Sequence, residues 1–367
     1  MNKMIIKKIV TKSFGILSNC SYKVKSGQIF GRSCEGKTTL LTAFTGCFLN
    51  SRLDGKKLTP LPDHIDTGWV KIEYEVNGEQ KEAYRTWTRK NEGISSSTSI
   101  NEGIVKHLFL AIANPLYIFS IENSDRIDLL IDWHYFDYSK NLFDELPSDI
   151  SDEIVDYAKS LGKISLYKIR TLMKDLKAEI KTNKALASAL TSQMEILQNV
   201  ENADTLKTEL SEKSTELANS IAVAENNLRM LGYIYNQLLK NAVNALNPIL
   251  CLTQFTEDGK VLYDSMPADR LSSGERLDCG LDIANAIASK YTLVPPTLID
   301  NATAFGHGTI NKSLFPNLSQ IITASYADVD LCELNGKYLS GLDKGWNVNA
   351  PKDFRPEVKV EMLYLDE

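Results

Sequence analysis

The chain has 367 residues, 43% hydrophobic, 24% charged and 8% aromatic, with a formal net charge of −6. These proportions belong to a soluble globular protein and exclude wholesale disorder and collagen-like repeats, while the length allows one large domain or two or three ordinary ones. No apolar run reaches the roughly 18 residues of a membrane span, no secretory signal opens MNKMIIKKIVTKSFG, and the six cysteines form no Cys-x-x-Cys pair, so the expectation is a cytoplasmic protein without a disulfide framework or structural zinc.

Residues 1–160 read as mixed α and β. Met4 to Val10 is a short β-rich run, and Gln28-Ile29-Phe30 leads into a Gly-rich turn, then a helix pattern from Thr38 through Phe48. Trp69 to Val76 alternates at period two, Asn77-Gly78 offers a hairpin turn, and Ala83 to Trp87 returns. The run Ser95 to Ser99 reads as a loop.

Residues 161–247 differ in composition. From about Ser165 to Ala245 there is no proline and one glycine, Gly232, and apolar residues recur at spacings of three and four. Ile169, Leu172, Leu176, Leu186, Leu190 and Leu197 form one seam, with Asn183 at a core-like slot. Leu210, Leu217, Ile221, Ala224, Leu228, Leu231, Tyr235, Leu238 and Ala242 form the other, with Ser214 as its polar exception. The patternless stretch 199–204, whose Asp204 can cap the next helix, marks the tip of an antiparallel coiled-coil hairpin. At about 1.5 Å per residue each arm reaches roughly 50–60 Å. A compact helical subdomain is the alternative.

Residues 248–367 return to α/β character. Leu250 to Thr253 and Lys260 to Tyr263 flank Glu257-Asp258-Gly259 as a second hairpin, a helix runs from Gly274 to Tyr291, and Thr297-Leu298-Ile299 is an apolar strand. Both ends of the chain therefore build one head around the helical insert.

The sharpest motif is Gly31-Arg32-Ser33-Cys34-Glu35-Gly36-Lys37-Thr38, a complete G-x-x-x-x-G-K-T P-loop, followed by Thr39. Its backbone N–H groups wrap a phosphate, Lys37 reaches the β- and γ-phosphates, Thr38 offers its hydroxyl to Mg²⁺, and the following helix aims its positive end at the nucleotide. Glu35 is unusual there, because a carboxylate beside phosphates is unfavourable unless it points away. Leu271-Ser272-Ser273-Gly274-Glu275-Arg276 makes a good helix N-terminus. Thr297 to Ile299 ending in Asp300 has the Walker B pattern, with Asp300 placed to bind Mg²⁺, and the next residue is Asn301. An amide can orient a water but cannot take its proton.

GRSCEGKTTLLTAF, LDGKK, NPLYIF with DRIDLLID, the helical insert, LSSGERLDCGLDIANAIA and LIDNATAFG together resemble the SMC/RecF/SbcC branch of ABC ATPases, especially short phage-type SbcC-like proteins. The resemblance implies an α/β fold: a P-loop NTPase head of ABC type, with a mixed sheet, helices and an antiparallel β lobe, interrupted by the coiled-coil hairpin. It implies that ATP and Mg²⁺ close two heads into a homodimer, with Lys37 and Thr38 of one copy facing Ser273 and Gly274 of the other and with Ser272 and Glu275 among the nucleotide-binding residues. It also implies DNA and a nuclease or recombination protein as partners.

The departures matter. Ser273 replaces the first signature glycine, Asn301 the usual catalytic glutamate and Tyr326 the switch histidine, while His307 reads as an ordinary loop residue. Asn114 is the candidate for the metal-contacting role of the missing Q-loop glutamine. No cysteine lies between Cys47 and Cys251, so a zinc hook is not expected. Basic candidates for DNA are Lys3, Lys7, Lys8, Lys12, Lys56, Lys57, Arg85 and Arg89. The reading is an ATPase of DNA repair, recombination or replication. The alternative is a weakly or non-hydrolysing ATP-gated protein that recruits a nuclease or recombinase.

Overall fold

The computed structural model describes residues 2–24, 27–31, 36–100, 104–135, 151–161, 166–197, 204–302 and 312–326. Arg32 to Glu35, His307, the expected hairpin tip at 199–203 and the C-terminal tail lie outside them. Two compact units emerge, Met1–Leu129 with Ala245–Glu367, and Leu130–Asn244.

The first unit carries a mostly antiparallel sheet. β1 (Asn2–Phe14) pairs with β2 (Leu17–Lys23) on one side and β4 (Thr67–Val76) on the other, and the ladder continues through β5 (Glu79–Lys90) to β6 (Gly93–Thr98). β10 (Leu293–Val294) adds a parallel partner at the start of β1. In β1 the buried side switches from Met4 and Ile6 to Ile9 and Thr11, because a register shift between Ile6 and Lys8 inserts one residue and reverses the alternation. The expected hairpin forms on Asn77 and Gly78, both left-handed at φ 54° and 84°, as a tight two-residue turn requires.

The serine run expected as a loop is strand β6. Its residues pair with β5 from Arg85 to Lys90, and the Ser95 hydroxyl donates to the Thr88 carbonyl, so small polar side chains serve at a solvated edge.

A second sheet is parallel, in the order β11 (Thr297–Ile299), β12 (Ile321–Tyr326), β3 (Gly27–Gly31). Helix α1 (Lys37–Leu49) is buried on nearly every side from Leu40 to Phe48. Leu40, Leu41 and Phe44 meet Ile6 and Ile9 of β1, Ile29 of β3, Leu298 of β11 and Ile322 of β12 around one small apolar gap. Phe109 stacks on Phe44 and Phe48 with ring centroids 5.6 and 5.7 Å apart, Phe44 and Phe48 are tilted at 5.0 Å, and Phe48 meets Tyr74 edge-on. This core joins both sheets and holds the P-loop helix.

α2 (Lys106–Ala113), α3 (Tyr117–Ser120) and the start of α4 (Asn123–His134) follow, and α2 packs on α8 (Ser273–Ala288). The second hairpin is shorter than expected. β7 is Thr253–Phe255, β8 is Val261–Tyr263, β9 is Met266–Pro267, and Leu250 to Leu252 stay outside the strand. The buried Asp282 carboxylate accepts the amides of Cys251, Leu252 and Thr253 at 2.9–3.1 Å, which takes those donors away from a ladder.

The second unit holds α5 (Asp152–Ser160) and two long helices, α6 (Leu166–Leu197) and α7 (Asp204–Leu246). It begins earlier in the chain than residue 161, since Glu153 of α5 bonds Asn226 and lies 3.6 Å from Arg229 of α7. Side by side, α6 and α7 join Asn183 to Ser220 and Lys184 to Glu225. In α7 the less exposed positions run through Leu210, Ser214, Leu217, Ile221, Ala224, Leu228 and Leu231, the register read from sequence. In α6 one position differs: Leu186 is 52% exposed, and the neighbouring Ala187 takes the inward slot one turn after Asn183.

Candidate functional site

Three chain segments meet at the carboxyl ends of the parallel strands. β3 ends at Gly31, and β12 lies between β3 and β11 with Tyr326 in register opposite Gly31. β11 delivers Asp300. Gly36 caps α1 with φ 87°, and a Cβ there would stand 2.9 Å from Leu17 and 3.2 Å from Ile16, so both conformation and space demand glycine. Crevices at strand carboxyl ends are where open α/β sheets bind ligands.

The Thr38 hydroxyl donates to Asp300 Oδ2 at 2.7 Å, and Asp300 Oδ1 accepts the Asn301 amide at 3.0 Å. Asn301 is exposed and left-handed, at φ 54°. Beside this pair opens a cavity of about 190 Å³, whose polar walls are Thr38, Thr42, Arg52, Asp54, Asn114 and Asp300. Leu277 of α8 and Ile299 contribute apolar wall. Asn114 is fixed by backbone: its Nδ2 donates to the Leu53 carbonyl at 2.9 Å, and its Oδ1 accepts the Leu116 amide at 3.1 Å.

Lys37, Asn301 and Ser272 to Glu275 are not among the residues lining this cavity. The last four form the N-terminus of α8 as a reciprocal capping box. The Glu275 carboxylate accepts the Ser272 amide at 2.8 Å and hydroxyl at 2.7 Å, while Ser272 Oγ accepts the Glu275 amide at 3.4 Å. Those bonds from Ser272 hold the Glu275 carboxyl below its ordinary range. Ser272 and Ser273 are exposed.

Arg52, Asp54 and Thr42 were not singled out from sequence. For Arg52 and Asp54 the local signal is the Asp54-Gly55 turn of RLDGKK, and Thr42 lies within the helix pattern after the P-loop motif. Two of the basic candidates for DNA are corrected by the structure. Arg85 is 8% exposed, and its guanidinium donates to the Cys47 carbonyl at 2.7 Å and the Phe48 carbonyl at 3.4 Å, closing the end of α1. Arg89 donates to the Pro62 and Ile65 carbonyls. Burial lowers the Arg85 pKa and pushes the neighbouring Cys47 thiol up to about 12. Lys3 donates to the Pro316 carbonyl, and Lys7 and Lys8 pair with Glu75 and Glu73, whereas Lys12, Lys56 and Lys57 are exposed.

Among the described residues no His, Cys, Asp and Glu cluster of three forms a metal site, and no helix is long and apolar enough to cross a membrane. A Thr hydroxyl and a carboxylate 2.7 Å apart are nevertheless hard oxygen donors of the kind Mg²⁺ takes when phosphates and water complete its shell.

No curated protein matches the sequence. Solved structures to which the chain is similar include the recombination mediator RecF with ATP, at 14% identity and TM-score 0.43 over 89% of this chain and 93% of that one. The Smc head with extended coiled coil bound to the C-terminal domain of ScpA, from Pyrococcus furiosus, is 14% identical with TM-score 0.40 over 89% and 91%. The SMC head from Thermotoga maritima is 12% identical with TM-score 0.32 over 88% and 89%. A family profile described as "AAA domain" matches residues 28–218. That match spans just over half of the chain, which therefore belongs to the AAA domain family.

Proposed function

We propose that the chain binds and hydrolyses ATP with Mg²⁺ and uses that cycle to pair two heads in DNA repair, recombination or replication. The observation that carries this reading is the Thr38–Asp300 hydrogen bond, which joins the P-loop helix to the end of β11 across 262 residues. Lys37 and the amides of Gly31 to Thr39 would hold the phosphates, and Arg32 to Glu35 contribute to that loop by sequence. Thr38 and Asp300 would hold Mg²⁺, with Asn114 beside them, and the ion would neutralise phosphate charge and orient the terminal phosphate. Asn301 would orient the attacking water.

The exposed N-terminus of α8, with Ser272, Ser273, Gly274 and Glu275, suits contact with the phosphate held by a second copy. ATP would then shift the population toward the closed dimer, because it makes its full set of contacts only there. DNA and a nuclease or recombination protein are the partners this reading implies, in the cytoplasm of a bacterial or phage-infected cell.

Sedimentation velocity tests it. ATP should raise the dimer fraction of the wild-type chain and not of Lys37→Ala, since losing one charge-assisted contact of about 1.5–3 kcal/mol lowers nucleotide affinity at least tenfold. An ATP-independent dimer fraction defeats the clamp. Asn301 favours a second reading, a slow or non-hydrolysing protein that recruits a nuclease or recombinase. Near-zero phosphate release with and without DNA, despite tight ATP binding, would select it.

A further inference from the structure

The loop after α1 is braced far beyond what a connection requires. Ser51 and Lys57 pair as an isolated bridge, the Arg52 amide donates to the Lys56 carbonyl, and the Gly55 amide donates back to Arg52, both at 3.0 Å. From outside, Asn114 holds the Leu53 carbonyl and Lys106 the Gly55 carbonyl. Gly55 sits at φ 78°, where a Cβ would lie 2.7 Å from the Tyr117 ring, so the turn is sterically locked. The product of this bracing is one presented carboxylate, Asp54, on the wall of the cavity that Thr38 and Asp300 share.

Asp54 and Asp300 are the only carboxylates among the described lining residues. Asp300 is engaged by the Thr38 hydroxyl and the Asn301 amide. Asn301 is a carboxamide and lines no part of the cavity. A hydrolytic site needs a proton acceptor, and among the described lining residues Asp54 is the carboxylate other than Asp300, the one placed to hold Mg²⁺. Arg52 lies 3.4 Å and Lys56 3.9 Å from Asp54 Oδ2, which offsets the repulsion between a carboxylate and phosphates.

We propose that Asp54 is the catalytic base for hydrolysis of the nucleoside triphosphate, an inference that rests on the ATPase reading above. The oxygen of water bonds to the terminal phosphorus as the bond from that phosphorus to its bridging oxygen breaks. The bond's electron pair leaves with the nucleoside diphosphate, the water proton passes to an Asp54 carboxylate oxygen, and inorganic phosphate is the second product.

The test compares wild type, Asp54→Asn and Asp54→Glu by ATP affinity, phosphate release and sedimentation. In Asp54→Asn the amide oxygen can still accept the Lys56 amide, as Asp54 Oδ1 does at 3.1 Å, so the loop is retained. ATP affinity should stay within about twofold, phosphate release should fall about 100-fold, as loss of a general base does, and the ATP-bound dimer should persist instead of decaying. Asp54→Glu should keep at least tenfold more turnover than Asp54→Asn. Turnover of Asp54→Asn within threefold of wild type overturns the assignment, as does loss of ATP affinity in both variants, which would make Asp54 structural. Wild type that binds ATP and releases no phosphate overturns the hydrolytic reading itself.

Discussion

Thr38 and Asp300 form the smallest unit of the candidate site, and each is replaceable at known cost. Asp300→Ala should abolish the Mg²⁺-dependent part of ATP affinity while leaving the melting temperature within a few degrees, since the pair is exposed. Calorimetry with and without Mg²⁺ measures this. Two buried residues set the opposite pattern. Gly280 of α8 faces the Pro115 carbonyl, whose oxygen would stand 2.2 Å from a Cβ, so Gly280→Ala should lower stability by about 1–3 kcal/mol or more in a denaturant titration. Arg85→Met would strand the Cys47 and Phe48 carbonyls and should cost about 2–3 kcal/mol, with no specific change in salt dependence of DNA binding. Period two in β5 puts Arg85 on the face of Ala83 and Trp87, which is the signal that separates it from the exposed lysines. The α1 carbonyls it closes are seen beside it only in the fold.

At the scale of elements, local chemistry decides most outcomes. The capping box should make Ser272→Ala cost about 1 kcal/mol by thermal melting. Because folding lowers the Glu275 pKa, its contribution is present above the ordinary glutamate range and is lost as pH falls through the lower folded value. The melting-temperature gap between wild type and Glu275→Gln should therefore close on acidification. The Asn77-Gly78 hairpin, the α1 helix and the α7 register were legible because turn residues and apolar spacing are local signals. The misses have physical causes as well. A serine run pairs as strand β6 because β5 offers it a ladder, and Leu250 to Leu252 leave the hairpin because Asn247 takes the Leu250 amide and Asp282 those of Cys251 and Leu252. Leu186 yields its inward slot to Ala187, because i+3 and i+4 from Asn183 both lie on the same helix face and local spacing alone does not choose between them.

At the scale of the whole molecule, one compact unit is built from both chain ends. β3 comes from the first forty residues, yet its strand partner among the described residues, β12, comes from the last fifty. Residues 1–200 alone should fail to fold as a soluble unit, and co-expression with 201–367 should restore a co-purifying complex with a cooperative melting transition. A folded, soluble 1–200 fragment would contradict this assembly.

Read from residues in order, the chain already specifies a P-loop motif, an apolar strand ending in Asp300, two hairpins and a long helical insert, because each is written in turn chemistry or periodicity. The contact of Thr38 with Asp300, the place of β12 between β3 and β11, the burial of Arg85 and the presence of Asp54 at the cavity are decided only on folding. Each depends on segments far apart in sequence being packed together by the shared apolar core around α1, and local pattern carries no record of that closure.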